Sequence, residues 1–290
     1  MFRGSITAIV TPFDDTGKVD LNALEGLIHW QIEQGTQGLI PCGSTGESIT
    51  LTDDERSAVI ERTVKAAKKR VPVIAGTGTS ATWSSVENTR RAEKLGVDAV
   101  LVVTPAYNKP QQDGLYRHYA EVAKATKLPV ILYNVPGRAA VNLLPDTCAR
   151  LNADFKNIVA YKDAAANLEQ TGQVLRQTKL TLLSGDDALT FPMMAMGATG
   201  VISVASNVVP KAVRELVDAC AARELDKARE LHARLLPLFS AVFVETNPVP
   251  AKAALAMMGK IKEHVRLPLT TLAEKSRETL RKALKDFGAL

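Results

Sequence analysis

Asn157-Ile-Val-Ala-Tyr-Lys162 is apolar between its polar ends, without the alternation of a strand that turns one face to water. Similar runs recur along the chain. They are Ile6-Thr-Ala-Ile-Val10, Gly38-Leu-Ile-Pro41, Pro72-Val-Ile-Ala75, Ala99-Val-Leu-Val-Val103, Pro129-Val-Ile-Leu-Tyr133, Leu180-Thr-Leu-Leu183 and Gly200-Val-Ile-Ser203, which with Ile158-Val-Ala-Tyr161 make eight. Such runs suit parallel strands buried on both faces. Between them lie stretches with helical spacing, such as Leu115, Tyr119, Val122 and Ala123 on one face. Thr52-Asp-Asp-Glu55 and Thr271-Leu-Ala-Glu274 have the form of capping boxes. Eight strand-helix units predict an α/β fold, a closed (β/α)8 TIM barrel rather than an open sheet. From about residue 209 the chain reads as helical, with Ala228, Leu231, Leu235 and Leu238 as an apolar face and Pro237 expected to kink or end that helix. One helix completes the eighth unit and extra C-terminal helices follow. We assign residues 1–223 to the barrel carrying the active site and 224–290 to a C-terminal helical extension.

With 46% hydrophobic residues over 290 positions, and no low-complexity linker, one large core is expected. The net charge of +5 comes from 36 basic and 31 acidic residues that are intermixed, so nucleic-acid binding is not expected. The densest basic run, Lys68-Lys69-Arg70, falls where a helix should end and complements its dipole. The first apolar run is too short for a signal peptide, and none is long enough to cross a membrane, so a cytoplasmic protein is expected. Cys42, Cys148 and Cys220 are odd in number and far apart, which predicts free thiols.

In a barrel of this kind chemistry sits at the C-terminal ends of the strands. Those ends read Gly43-Ser-Thr-Gly-Glu47, Gly76-Thr-Gly-Thr79, Thr104-Pro-Ala-Tyr-Asn108, Tyr133-Asn-Val-Pro-Gly-Arg138, Lys162-Asp163 and Ser184-Gly-Asp-Asp187. One amine, two phenols, several hydroxyls and one guanidinium would converge. Taken singly, the glycine turn could be only a tight turn, Tyr107 and Tyr133 core aromatics, Arg138 a loop residue and Lys162 a strand exit. Asp186 and Asp187 argue against a phosphate site after the last strands. His29, His118, His232 and His264 lie away from the strand ends, so neither a metal site nor a histidine-activated nucleophile is expected. Lys162 remains as the covalent candidate. An amine of pKa about 10.4 attacks a carbonyl only when deprotonated, so it needs an apolar setting. The chemistry implied is a Schiff base.

Gly43-Ser-Thr-Gly-Glu-Ser48, Pro105-Ala-Tyr-Asn-Lys-Pro110, Tyr133-Asn-Val-Pro-Gly-Arg138, Lys162, Leu183-Ser-Gly-Asp-Asp187, Phe243-Val-Glu-Thr-Asn-Pro248 and Arg266-Leu-Pro268 follow one another in order. This series resembles that of the dihydrodipicolinate synthase family, within the N-acetylneuraminate lyase superfamily of pyruvate-dependent class I aldolases. The resemblance implies that Lys162 forms an imine with pyruvate and needs no other cofactor. It implies that Tyr133 moves protons through a relay with Ser44 and Tyr107, the last reaching in from a neighbouring subunit of a homo-oligomer, a dimer or a tetramer built as a dimer of dimers. Thr45, Gly185 and the Ile202 backbone would line the pyruvate pocket.

By the same resemblance the second substrate is aspartate 4-semialdehyde, and the route is lysine and diaminopimelate biosynthesis. Arg138 would hold its carboxylate, since a guanidinium grips a carboxylate through two hydrogen bonds. Ser44 in place of the family's threonine, and Asp163-Ala-Ala-Ala-Asn167 after the lysine, leave open another pyruvate-dependent aldolase or a sugar-acid dehydratase. In lysine-sensitive relatives the effector site holds a histidine, an asparagine, a glutamate and a tyrosine where this chain has Arg56, Ser80, Ser84 and Ala106. Weak or absent feedback by lysine is therefore expected.

Overall fold

The apolar runs fold as strands with both faces covered. The computed structural model, which describes residues 2–290, contains seven parallel strands: β1 (Gly4–Thr7), β2 (Ile74–Gly76), β3 (Ala99–Val103), β4 (Val130–Asn134), β5 (Ile158–Asp163), β6 (Thr181–Ser184) and β7 (Gly200–Ser203). They stand in the order β1-β7-β6-β5-β4-β3-β2. In β3, Ala99 and Leu101 join Ile131, Ala160 and Ile202 in an inner cluster. Val100 and Val102 turn the other way and pack with helix residues such as Leu115 and Tyr119. Burial on both sides is why these runs do not alternate.

Gly38–Pro41, expected as a strand, forms single bridges instead. Leu39 pairs in parallel with Thr7, the last residue of edge strand β1, and with Val73, just ahead of the other edge strand, β2. The Ile40 amide donates to the Thr7 carbonyl at 2.8 Å, and the Ile74 amide to the Leu39 carbonyl at 2.9 Å. The sheet thus curls until its edges meet across this segment, in a TIM-barrel-like α/β fold. The segment stays short because Pro41 has no amide to donate and Cys42 turns to φ 56°.

A helix follows each strand and the bridge: Leu21–Glu33, Asp53–Ala67, Thr82–Lys94, Gln112–Lys124, Pro145–Asp154, Leu168–Gln177, Thr190–Met196 and Pro210–Ala221. The capping box at Thr52 forms, its hydroxyl accepting from the Glu55 amide and the Glu55 carboxylate from the Thr52 amide. The one expected at Thr271 does not. That helix is Glu274–Phe287, so Glu274 is its first residue, and Glu245 from another segment accepts the Ala273 amide at 3.1 Å.

Pro237 neither ends nor interrupts its helix, which spans Leu225–Ala241. The carbonyl that loses its donor belongs to Ala233. Both residues are exposed, so water can take the vacated acceptor while Leu235, Leu238 and Phe239 stay buried. The helices Leu225–Ala241, Val249–Met257 and Glu274–Phe287 build a second core with Val213 and Leu216 of Pro210–Ala221. Among the described residues no helix is long and apolar enough to cross a membrane.

Candidate active site

Strand periodicity alone would aim Lys162 at the helices. Val130 of β4 pairs with Ile158 of β5, but Ile131 pairs with Ala160, so Val159 is an extra residue. Ile158 belongs to the outer cluster and Ala160 to the inner one. This bulge reverses the phase of β5. From there on Tyr133 pairs with Lys162, both on the inner face. Without the extra residue Tyr161 would oppose Tyr133, and the amine would point outward.

Lys162 is 6% exposed, and its Nζ lies 4.1 Å from the centre of the Tyr133 ring. Among the described residues the amine has no ion pair or hydrogen bond. Gly185 lies against it, since a Cβ there would come within 3.0 Å of Lys162 Cε and 2.8 Å of Ala164 Cβ. A cavity of about 350 Å³ opens over this group, lined by Lys162, Tyr133, Ser44, Thr45, Arg138 and Gly185 among others. That volume suits small molecules.

Six of the eight residues singled out in the sequence therefore share one cavity. Ile202 does not reach its wall with a side chain, being packed in the inner cluster at 1% exposure. Tyr107 also lies off it, 94% exposed at φ 77°. The hydroxyls of Ser44, Tyr133 and Tyr107 make no hydrogen bonds with one another in this single chain.

Asn247 is the residue that reasoning from sequence missed. Its amide nitrogen donates to Thr45 Oγ1 at 2.9 Å, and its backbone carbonyl accepts from Arg138 at 3.2 Å. Its Oδ1 is buried without a partner. The available signal was its place in the Phe243–Pro248 block, but nothing local says that this block folds back over the first strand ends.

Asp187 does more than repel an anion. Its carboxylate accepts the Val204 and Ala205 amides at 3.1 and 2.9 Å, so it occupies the donors a phosphate would need after the last strand. Burial raises its pKa. Cys42 is buried, which pushes its thiol up to about 12 and leaves it unsuited to nucleophilic work. Burial likewise holds His118 down to about 4. Among the described residues no three His, Cys, Asp or Glu side chains are grouped to hold a metal ion.

The sequence profile of the dihydrodipicolinate synthetase family matches residues 1–287. A 4-hydroxy-tetrahydrodipicolinate synthase of Geotalea uraniireducens is 53% identical, and one of Thermodesulfovibrio yellowstonii 51%, each alignment covering 100% of both chains. The crystal structure of a chloride-inhibited dihydrodipicolinate synthase from Acinetobacter baumannii, complexed with pyruvate, superposes with a TM-score of 0.98 at 46% identity over 100% of both chains. Agreement of this extent spans the strand ends, the cavity and the C-terminal segment that bears Asn247, and by it the chain belongs to the dihydrodipicolinate synthetase family.

Proposed function

We propose that this chain is a lyase that condenses pyruvate with L-aspartate 4-semialdehyde to 4-hydroxy-tetrahydrodipicolinate, in lysine and diaminopimelate biosynthesis. The observation that carries the reading is the register pairing of Tyr133 with the unpaired, buried Lys162 under a small-molecule cavity. In this reading the Lys162 amine adds to the pyruvate ketone and water leaves, giving an imine. The protonated imine is the electron sink, so no separate cofactor is required. Loss of a methyl proton gives an enamine, whose carbon attacks the aldehyde, and the new alkoxide takes up a proton. The amine of the second substrate then attacks the imine carbon, expels Lys162 and closes the ring.

Tyr133 is assigned the proton transfers. A phenol of pKa about 10 needs partners for this, and Ser44 with a Tyr107 from a second copy would supply them. The exposure of Tyr107 supports its reaching outward rather than into its own cavity. We therefore read the working form as a homodimer, or a tetramer built as a dimer of dimers. Thr45, Gly185 and the Ile202 backbone are assigned to pyruvate, and Arg138 to the carboxylate of the semialdehyde. We also read Gly38–Pro41 as the second of eight barrel strands, with residues 1–223 as the barrel and 224–290 as the helical extension.

Purified protein incubated with pyruvate and aspartate 4-semialdehyde should consume both and yield the cyclic product by mass spectrometry. Pyruvate trapped on Lys162 by borohydride without any ring product would move the assignment to another aldolase or a sugar-acid dehydratase.

A further inference from the structure

We propose that the buried Glu47–Lys252 ion pair is a positioning device that holds the pyruvate pocket in shape from the C-terminal helices. The proposal rests on the functional reading above. Glu47 belongs to the turn that carries Ser44 and Thr45, and Lys252 to the helix Val249–Met257. Lys252 Nζ donates to Glu47 Oε1 at 2.6 Å, with side-chain exposures of 0% and 1%.

Nothing in the reaction uses this pair, yet two unpaired charges would be costly at that depth. Its geometry says what it does. Glu47 sits at φ 51°, a left-handed conformation that a non-glycine residue rarely takes unless its surroundings impose it. The imposed contacts are Lys252 at one carboxylate oxygen and the Arg266 amide at the other, at 3.1 Å. Two residues back along the turn, Thr45 Oγ1 accepts from Asn247, just ahead of the same helix. The turn is thus clamped to one C-terminal segment at two points. Because the Asn247 carbonyl also takes Arg138, the clamp reaches the residue assigned to the second substrate.

The surroundings make the clamp sensitive to pH. Lys252 Nζ lies 4.1 Å from the Phe13 ring centre and the Arg266 guanidinium 4.5 Å from the same ring, so both cations pack on one aromatic. Arg266 is itself paired with Glu55 of the helix Asp53–Ala67. Burial pulls the Lys252 ammonium down to about 8, opposed by Glu47 and helped by Arg266. As the lysine loses its proton, its charge attraction to Glu47 goes and the clamp weakens.

The test is the double variant Glu47→Gln/Lys252→Met, which leaves neither charge stranded. Replacing a buried pair by uncharged side chains is often neutral for stability, so a purely structural role predicts unchanged pyruvate binding once melting is restored. A positioning role predicts a melting temperature close to that of the unaltered protein, but a half-saturating pyruvate for borohydride trapping raised about ten- to hundredfold at pH 7. The ratio between the two proteins should then shrink toward one by pH 9.5, as the unaltered lysine titrates and effects common to both cancel. Equal half-saturation at pH 7 would overturn the proposal. Failure to trap pyruvate in the unaltered protein would instead overturn the functional reading, and with it the pocket that the pair serves. Should the double variant not fold, amide exchange on the unaltered protein decides. Residues 43–48 should lose protection between pH 8 and 9, after correction for intrinsic rates, while the helix Asp53–Ala67 keeps its own. Equal retention overturns the proposal.

Discussion

Tyr133 and Lys162 are register partners on adjacent parallel strands, and the lysine amine lies 4.1 Å from the centre of the tyrosine ring. The amine therefore meets the face of the ring rather than its hydroxyl. An aromatic face attracts a cation by about 0.5–2 kcal/mol. It should support the protonated imine formed on Lys162, which separates the task of the ring from that of the phenol.

Tyr133→Phe keeps the ring and removes the hydroxyl. Borohydride trapping of pyruvate on Lys162 should survive, while turnover should fall about 10²–10⁴-fold, the range of a lost acid or base. Lys162→Ala should abolish the trapped adduct. An adduct of unchanged mass in Lys162→Ala would place the nucleophile elsewhere.

Arg138 is exposed, and the only hydrogen bond its guanidinium makes among the described residues goes to the Asn247 carbonyl. Its remaining donors are free for a carboxylate. A hydrogen bond to a charged group contributes about 1.5–3 kcal/mol, so Arg138→Ala should lower kcat/KM for the semialdehyde about ten- to hundredfold. The half-saturating pyruvate should change far less. Equal losses for both substrates in steady-state kinetics would contradict the assignment.

Glu55 is held down to about 2, first by its hydrogen bonds with Arg266 and also by the Thr52 amide, against partial burial. Its folded pKa is thus below its ordinary 4.5. The stability it contributes is complete above 4.5 and lost as pH falls toward 2. Glu55→Gln should melt at a temperature that depends less on pH across that window than the unaltered protein does. Parallel melting curves for the two would exclude this contribution.

The apolar runs were legible because burial on both faces removes alternation, and Lys162 because, with no histidine near the strand ends, it was the nucleophile left there. What escaped depends on contacts far apart in the chain. The bulge at Val159 is a property of the pairing between β4 and β5, and no residue in the run marks it. Asn247 meets Thr45, and Lys252 meets Glu47, across 202 and 205 positions. Thr271 matched a local pattern that Glu245 supersedes from outside, and Pro237 followed a local rule that burial of its neighbours overrode.

A second cavity of about 420 Å³ is lined by Arg56, Ser80 and Ala106, three of the four positions compared with a lysine effector site. Ser84 is not part of its wall. The carboxylate that lines it, Glu47, is already paired with Lys252, while Arg56 and Arg138 present positive charge. The carboxylate of a lysine could meet Arg56 or Arg138 there, but its two ammonium groups would find no unpaired carboxylate on the wall. Low millimolar lysine should leave the initial rate unchanged, and a saturating inhibition curve would refute this.

Gly185 sets how much room the imine has. A methyl group at this position would stand 3.0 Å from Lys162 Cε and 2.8 Å from Ala164 Cβ, both closer than side chains settle. The Asp163 carbonyl at 3.1 Å closes the third side, so the methyl cannot move aside without shifting backbone. The lysine can yield by a few tenths of an ångström at Cε, which displaces its amine relative to Tyr133. Overpacking of this kind costs about 1–3 kcal/mol, and here part of the strain would fall on the reacting group. Gly185→Ala should therefore keep most of its melting temperature while both the rate of pyruvate trapping and turnover fall at least about tenfold. A variant that melts much lower yet traps pyruvate at the ordinary rate would show that the strain is taken up by Ala164, and that Gly185 shapes the strand exit rather than the amine.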